Sequence, residues 1–178
     1  MQIDKRKISA IHARFRQLRN GEVADNLQAQ GVNYRLAWGL ESYRLKEIAQ
    51  EECCQGTEEE RQAMAEYLWQ EEVRESKMLA TRLYPPSLMD IETAKAWGDA
   101  IGYTEIADQA AMNLFCRLPF AGQLANLWRN SSKPMLQYMA LKLAARIDEV
   151  PSEIVAWAEI LKQDETAPMW LRTAALWL

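Results

Sequence analysis

Basic side chains are the residues of this sequence whose type and spacing most clearly indicate a chemistry. Five of them lie between positions 110 and 147, without one acidic residue among them: Arg117, Arg129, Lys133, Lys142 and Arg146. Residues 1–20 form a second block, with six basic residues and one acidic residue. Clustered lysine and arginine side chains bind phosphates, so each block predicts a phosphate-binding surface. The alternative is an ordinary solvated helix face, although such faces usually mix both signs.

The net charge of the chain conceals these two blocks. It is −4 because acidic residues dominate positions 21–60, 85–109 and 148–178. This total excludes a protein that coats nucleic acid through bulk positive charge, but it leaves a local basic face open.

Metal and redox chemistry find little support in the sequence. The three cysteines are Cys53, Cys54 and Cys116, and the single histidine is His12. Adjacent cysteines rarely bridge each other and an odd number leaves one over, so we expect free thiols in a reducing cytoplasm. One histidine does not complete a Cys/His zinc site, and we expect no metal and no cofactor. We expect no secretory signal and no membrane association, because residues 1–20 are charged throughout and no long apolar run exists.

The elements that must position these residues are helices. Apolar residues recur at three- and four-residue spacing, as in Ile8, Ile11 and Phe15, and sustained alternation is missing. The pattern predicts an all-α protein of about ten or eleven short helices. Those that can be placed span 3–19, 57–68, 74–84, 91–100, 105–115, 120–128, 135–147, 152–161 and 169–178. Predicted starts are a capping box of Thr57 with Glu60, caps at Asp90 and Thr104, and first-turn prolines at 134, 151 and 168.

An internal repeat favours a stack of helical pairs over an orthogonal bundle. Four residues of one segment recur 34 positions later: Leu127, Pro134, Met135 and Ala140 match Leu161, Pro168, Met169 and Ala174. The Leu-Trp pair at 68–69 opens a looser third copy. Two helices per unit with this period are typical of a HEAT-like α-solenoid, an α-α superhelix whose second helices line a concave face. No Gly/Ser linker divides the chain, so we expect one domain over residues 1–178. Within it we expect Trp69, Trp128 and Trp157 to pack between repeats, and Trp38 to be a surface aromatic.

Several segments carry a family resemblance when they are taken together and in order. They are Gly31-Val32 with Leu45-Lys46-Glu47-Ile48-Ala49, Leu68-Trp69-Gln70-Glu71-Glu72-Val73-Arg74-Glu75, Trp97 to Asp108, and Met169-Trp170-Leu171-Arg172-Thr173-Ala174. This ordered set resembles the DNA alkylation repair enzymes built from HEAT-like repeats, the AlkD-like DNA glycosylases. The resemblance implies a basic, DNA-facing surface. It also implies hydrolysis of the N-glycosidic bond of cationic N3- and N7-alkylpurines.

The resemblance further implies a site of two tryptophans, an aspartate and an arginine. A carboxylate stabilises the cationic sugar that forms as the bond breaks, and aromatic faces favour a cationic base. The family's Trp-Asp-x-x-Asp pattern falls on residues 104–108, which keeps Asp108 but has Thr104 for the tryptophan. The arginine position is Tyr138, and the last tryptophan is Trp177. The implied catalytic residues are therefore Asp108, Trp177 and Tyr138. Their alternatives are an exposed or ion-paired acid, a tryptophan packed on the preceding helix, and a core or groove-edge tyrosine.

The sequence is compatible with three functions. The first is a glycosylase that uses Asp108 and Trp177. The second is a catalytically inactive relative that binds duplex DNA through Arg117, Arg129, Lys133, Lys142, Arg146 and Arg172. The third is a scaffold that holds a peptide or protein in its groove. We expect a monomer in each case.

Overall fold

The structure is a computed structural model that describes residues 4–53 and 56–178, with the backbone alone at positions 52 and 53. The expectations for Cys53 and Cys54 and the predicted helix start at Ile3 fall outside the described side chains. The described residues form two compact units, one reaching Leu88 and the other spanning Met89–Leu178.

Eleven α-helices make up most of the described chain. They are α1 (Lys5–Gln17), α2 (Gly21–Ala29), α3 (Ser42–Ile48), α4 (Glu58–Trp69), α5 (Arg74–Leu83), α6 (Ile91–Asp99), α7 (Thr104–Asn113), α8 (Ala121–Arg129), α9 (Pro134–Ala144), α10 (Ser152–Gln163) and α11 (Met169–Ala175). A π-helical turn follows α3 at Ala49–Cys53, and short 3-10 turns lie at Pro86–Leu88 and Phe115–Arg117. The described residues contain no strand, only an isolated bridge between Leu36 and Val73. The predicted all-α class is therefore confirmed.

Helix starts follow the predicted signals in part. The capping box of Thr57 and Glu60 opens α4, and the Asp90 carboxylate accepts a 2.7 Å hydrogen bond from the Thr93 N–H at the start of α6. The prediction for Thr104 was wrong, since it is the first residue of α7 and Tyr103 precedes it without a side-chain cap. Proline is the first helical residue at 134 only. At positions 151 and 168 proline is the extended residue just before the helix.

A buried carboxylate organises the first unit. The Glu75 side chain is fully buried, and its oxygens accept hydrogen bonds from the backbone N–H groups of Trp38, Gly39 and Leu40 at 2.9, 3.0 and 3.2 Å. The Arg74 guanidinium donates to Glu75 at 2.7 Å and to the Leu40 carbonyl at 2.9 Å. Buried ion pairs of this kind fix a conformation more than they add stability. The pair holds residues 38–40 against the start of α5.

Glycine is required where this loop turns. Gly39 has φ +74°, and a Cβ atom there would lie 2.0 Å from the carbonyl oxygen of Asn20. Asn20 also caps α2 and donates its own N–H to the Trp38 carbonyl at 2.8 Å. The end of α1, the start of α2 and the 38–40 loop are therefore held together by backbone bonds.

The second unit consists of three helical pairs, α6–α7, α8–α9 and α10–α11. The 34-residue recurrence of proline falls at the starts of α9 and α11, which are second helices of successive pairs. Helix α9 packs against α8, α7 and α11, and Met139, Ala140 and Leu141 in its middle are fully buried. Trp128 is buried, stacks edge-on against Phe115 at 5.1 Å and approaches Gly98 of α6. This confirms the predicted packing role of Trp128.

No helix in the described part of the chain is both long enough and apolar enough to cross a lipid bilayer.

Candidate functional site

The site forms where α7, α9 and α11 meet in the second unit. Asp108 lies in the middle of α7, and Tyr138 lies one turn into α9. The Tyr138 hydroxyl donates to the Asp108 carboxylate, 3.1 Å from Oδ1 and 3.2 Å from Oδ2. The structure therefore brings together two of the three residues that the resemblance assigns to catalysis, although they lie 30 positions apart.

A lysine occupies the centre of this site. Lys142 lies one helical turn beyond Tyr138, so both side chains project from the same face of α9. Its Nζ atom is 3.2 Å from Asp108 Oδ1 and 5.4 Å from the centre of the Tyr138 ring. The Lys142 side chain is 15% exposed and that of Asp108 is 37% exposed. A positive charge thus sits beside Asp108 although the implied arginine position holds a tyrosine.

Two tryptophans complete the site, Trp170 in α11 and Trp177 in the turn that follows it. The Trp177 ring centre lies 5.7 Å from Lys142 Nζ, and the Trp170 ring centre lies 5.5 Å from that of Tyr138. Trp177 is 72% exposed and Trp170 is 39% exposed, so both offer ring surface to a ligand. Trp177 is therefore not a core packing residue. Trp170 was not predicted as a site residue, although it lies in the closing segment that carries the family resemblance.

Burial and charge alter the acidity of the tyrosine. Burial of Tyr138, reinforced by the Asp108 carboxylate and its hydrogen bond, raises the pKa of the hydroxyl far above its ordinary value, while Arg146 acts in the opposite direction. The hydroxyl therefore keeps its proton and acts as a hydrogen-bond donor at neutral pH.

The five predicted phosphate-binding residues of the block 110–147 fall into two groups. Lys133 and Lys142 are ion-paired, with Asp99 at 2.6 Å and with Asp108. Arg117, Arg129 and Arg146 have no carboxylate partner among the described side chains, and they hydrogen-bond instead to the Asn113 carbonyl, the Asn126 side chain and the Lys142 carbonyl. The three arginines of the second group are therefore the residues whose positive charge is available to phosphates.

Two of these arginines lie close together. Burial raises the pKa of the Cys116 thiol, and the positive charges of Arg146 and Arg117 oppose this shift. Both guanidinium groups are exposed and lie near one thiol. Arg172 is half-buried beside Asp164, and it contributes after the Thr166 hydrogen bonds to lowering the pKa of that aspartate. Within the described residues, no three His, Cys, Asp or Glu side chains are grouped as a metal would require.

Comparison with known proteins assigns the chain to a family. A family model described as DNA alkylation repair enzyme matches residues 11–176. The chain belongs to the DNA alkylation repair enzyme family. The fold agrees, since a solved structure described as "A new family of proteins related to the HEAT-like repeat DNA glycosylases with affinity for branched DNA structures" superposes with a TM-score of 0.79. That match covers 94% of this chain and 72% of the other at 14% sequence identity. A search of curated proteins finds no match.

In this member of the DNA alkylation repair family, the negative charge of the Asp108 carboxylate is already balanced by neighbouring groups of the protein. The Asp108 carboxylate accepts a hydrogen bond from the Tyr138 hydroxyl and forms an ion pair with the Lys142 ammonium. The predicted HEAT-like helical-repeat fold is confirmed by the structural match. The site residues implied by the resemblance are close in space, but their role in catalysis or binding stays a prediction.

Proposed function

We propose that this member of the DNA alkylation repair family binds DNA without hydrolysing alkylated bases. The observation that carries the proposal is the position of the Lys142 ammonium, 3.2 Å from Asp108 and within 6 Å of the ring centres of Tyr138 and Trp177. A carboxylate flanked by aromatic faces is the environment that a cationic base needs. In this protein the Lys142 ammonium already occupies that environment.

Electrostatic repulsion supports the absence of glycosylase activity. A cationic alkylpurine drawn to Asp108 would come within about 4 Å of the Lys142 ammonium, at a repulsion of about 4 kcal/mol for an effective dielectric constant near 20. This repulsion offsets the attraction that the Asp108 carboxylate would otherwise supply. An ordinary uncharged base meets no such repulsion at the exposed faces of Trp170 and Trp177.

DNA contact is supported by the free charges of the second unit. The exposed guanidinium groups of Arg117 and Arg146 have no carboxylate partner among the described side chains and suit phosphate oxygens. The exposed tryptophan rings suit stacking by an unpaired base, which a duplex interior does not offer. We therefore propose a preference for DNA with unpaired or branched positions. The structural neighbour, described as having affinity for branched DNA structures, agrees with this preference.

Binding is tested by fluorescence anisotropy with labelled duplex, single-stranded and four-way-junction DNA over a series of salt concentrations. We expect affinity to fall steeply as salt rises, and Arg146→Gln to reduce the slope of log K against log salt by about 0.9. Lys95→Gln is the matched control, because Lys95 is a partly exposed lysine of α6 paired with Glu92. No binding of any DNA at low salt would exclude the proposal and favour a scaffold for proteins or peptides.

Catalysis is tested by the release of 7-methylguanine and 3-methyladenine from methylated DNA. We expect the wild-type protein and Asp108→Asn to release bases at the same background rate. If the wild-type protein releases these bases and Asp108→Asn does not, the protein is a glycosylase. In that case the substrate displaces the Lys142 ammonium from Asp108.

A further inference from the structure

A cavity in the first unit is lined by residues that differ in kind from those of the α7–α9–α11 site. Its volume is about 450 Å³, within the range of about 300–1,000 Å³ typical of small-molecule sites. Three segments line it: α1, the loop at residues 35–38, and the turn between α4 and α5. We propose that this cavity binds a nucleotide whose base carries an exocyclic amino group.

The phosphate would bind to two arginines at the cavity wall. Arg16 comes from α1 and Arg35 from the loop, and both are exposed. Neither forms an ion pair with any side chain that the structure describes. Two unpaired guanidinium groups lining one cavity provide the fork-shaped donors that phosphate oxygens accept.

The base would bind between an aromatic ring and a carboxylate. Trp38 lines the cavity and supplies a ring for stacking. Glu71 also lines it, and both described bonds of this carboxylate, 3.0 Å to His12 Nε2 and 2.5 Å to the Ser76 hydroxyl, go to Oε2. Oε1 is therefore the oxygen available to a ligand, and it can only accept a hydrogen bond. Adenine, cytosine and guanine bear an amino group that donates to such an oxygen. Thymine has no amino group, and its one ring N–H lies between two carbonyl oxygens that would repel the carboxylate.

The cavity is preorganised by the bonds that also anchor the 38–40 loop. The Trp38 N–H donates to the buried Glu75 carboxylate, and its carbonyl accepts from the Asn20 N–H. The Leu36 backbone pairs with the turn, donating to the Glu72 carbonyl at 3.3 Å and accepting from the Arg74 N–H at 3.1 Å. The 3.0 Å bond between His12 and Glu71 ties α1 to the turn as well. All three lining segments are thus fixed before a ligand arrives, which reduces the entropy lost on binding.

The proposal is tested by calorimetric titration of the whole protein with dAMP, with dTMP and with deoxyadenosine as separate probes. We expect dAMP to bind with a Kd of about 1 mM or tighter and both other probes to bind at least about tenfold more weakly. Arg35→Gln should weaken dAMP binding about tenfold, since a charge-assisted hydrogen bond is lost. Arg19→Gln, an exposed arginine just beyond α1 that does not line the cavity, should leave it unchanged.

Several results would overturn the proposal. These are no binding of dAMP, equal binding of dAMP and dTMP, or the same loss in Arg19→Gln as in Arg35→Gln. Trp38→Leu is a second test, and we expect it to weaken dAMP binding about tenfold because base stacking is lost. If its circular dichroism and melting match the wild type and dAMP binding is unchanged, the proposal is wrong.

Competition identifies the source of the nucleotide. Displacement of dAMP by an oligonucleotide with one unpaired adenine, but not by the fully paired duplex, assigns the cavity to a nucleotide within DNA. Binding of dAMP without such competition assigns it to free nucleotides. Neither result depends on the DNA surface of α7, α9 and α11, because Arg35 and Trp38 belong to the other unit.

Discussion

Replacement of Asp108 by asparagine should change folding stability and DNA affinity in opposite directions. Asparagine keeps the shape of the side chain and removes its charge. The Tyr138 hydroxyl then donates to a neutral acceptor, which weakens that bond by about 1 kcal/mol. The ion pair with Lys142 is also lost, and because Asp108 is 37% exposed it contributes only about 1 kcal/mol. We expect a loss of about 2 kcal/mol in the free energy of unfolding, measured by urea denaturation.

The DNA affinity should rise in the same variant. Without its carboxylate partner at 3.2 Å, the Lys142 ammonium is free to neutralise a phosphate. One further neutralised phosphate adds about 0.9 to the magnitude of the salt slope, which is roughly eightfold in affinity near 0.1 M salt. The measurement is anisotropy with branched DNA at several salt concentrations.

A matched variant separates this effect from a change of net charge. Glu159→Gln removes one acidic charge and breaks an ion pair with Lys162 at 2.6 Å, but on α10, which supplies no residue of the site. We expect Glu159→Gln to bind DNA almost as the wild type does. If Asp108→Asn binds no more tightly than Glu159→Gln, then Lys142 does not face the DNA and our reasoning about the site is refuted.

Three further predictions concern the fold and the acidity of the site. Glu75→Ala leaves Arg74 buried without its charge partner, so the free energy of unfolding should fall by about 3–5 kcal/mol in urea, and a loss under about 1 kcal/mol would contradict the anchoring role. Gly39→Ala should destabilise by more than about 2 kcal/mol, because the residue has φ +74° and a Cβ would meet the Asn20 carbonyl, whereas Gly102→Ala meets nothing within 4 Å and serves as its control. The pKa of Tyr138 is raised in the folded state, so its contribution to stability is complete below the unfolded value of about 10 and is lost as the pH rises beyond it. Tyr138→Phe should therefore lose less stability than the wild type between about pH 9 and pH 11 in denaturation experiments, and an equal loss would show that the hydroxyl titrates normally.

The sequence predicted nine of the eleven helices in the described residues and missed α2 and α3, for different reasons. Helix α2 contains no buried residue, so no apolar periodicity marks it. The predicted end of the first helix at residue 19 lies two residues beyond the observed end at Gln17, but nothing predicted that Asn20 caps the next helix, with its side chain accepting from the Val23 N–H. Helix α3 is only seven residues long and continues into a π-helical turn, which carries no distinct spacing.

The buried ion pair of the first unit was equally invisible in the sequence. Arg74 and Glu75 lie in a segment of balanced charge that reads as a solvated helix start. The carboxylate becomes buried because three backbone N–H groups from a loop 35 to 37 positions earlier need an acceptor. Loop backbone donors have no sequence signature, so the pairing follows only from the folded chain.

The second unit shows why the charge of a sequence block differs from the charge of a surface. The block 110–147 contains five basic residues and no acid, but two of its lysines meet carboxylates from the acidic block before it. Lys133 pairs with Asp99 at the end of α6, and Lys142 pairs with Asp108 of α7. Repeat stacking causes this cancellation, because it places each second helix against the preceding pair. The cations left for phosphates are then the three arginines, and the substitution of greatest effect on DNA binding should be among them.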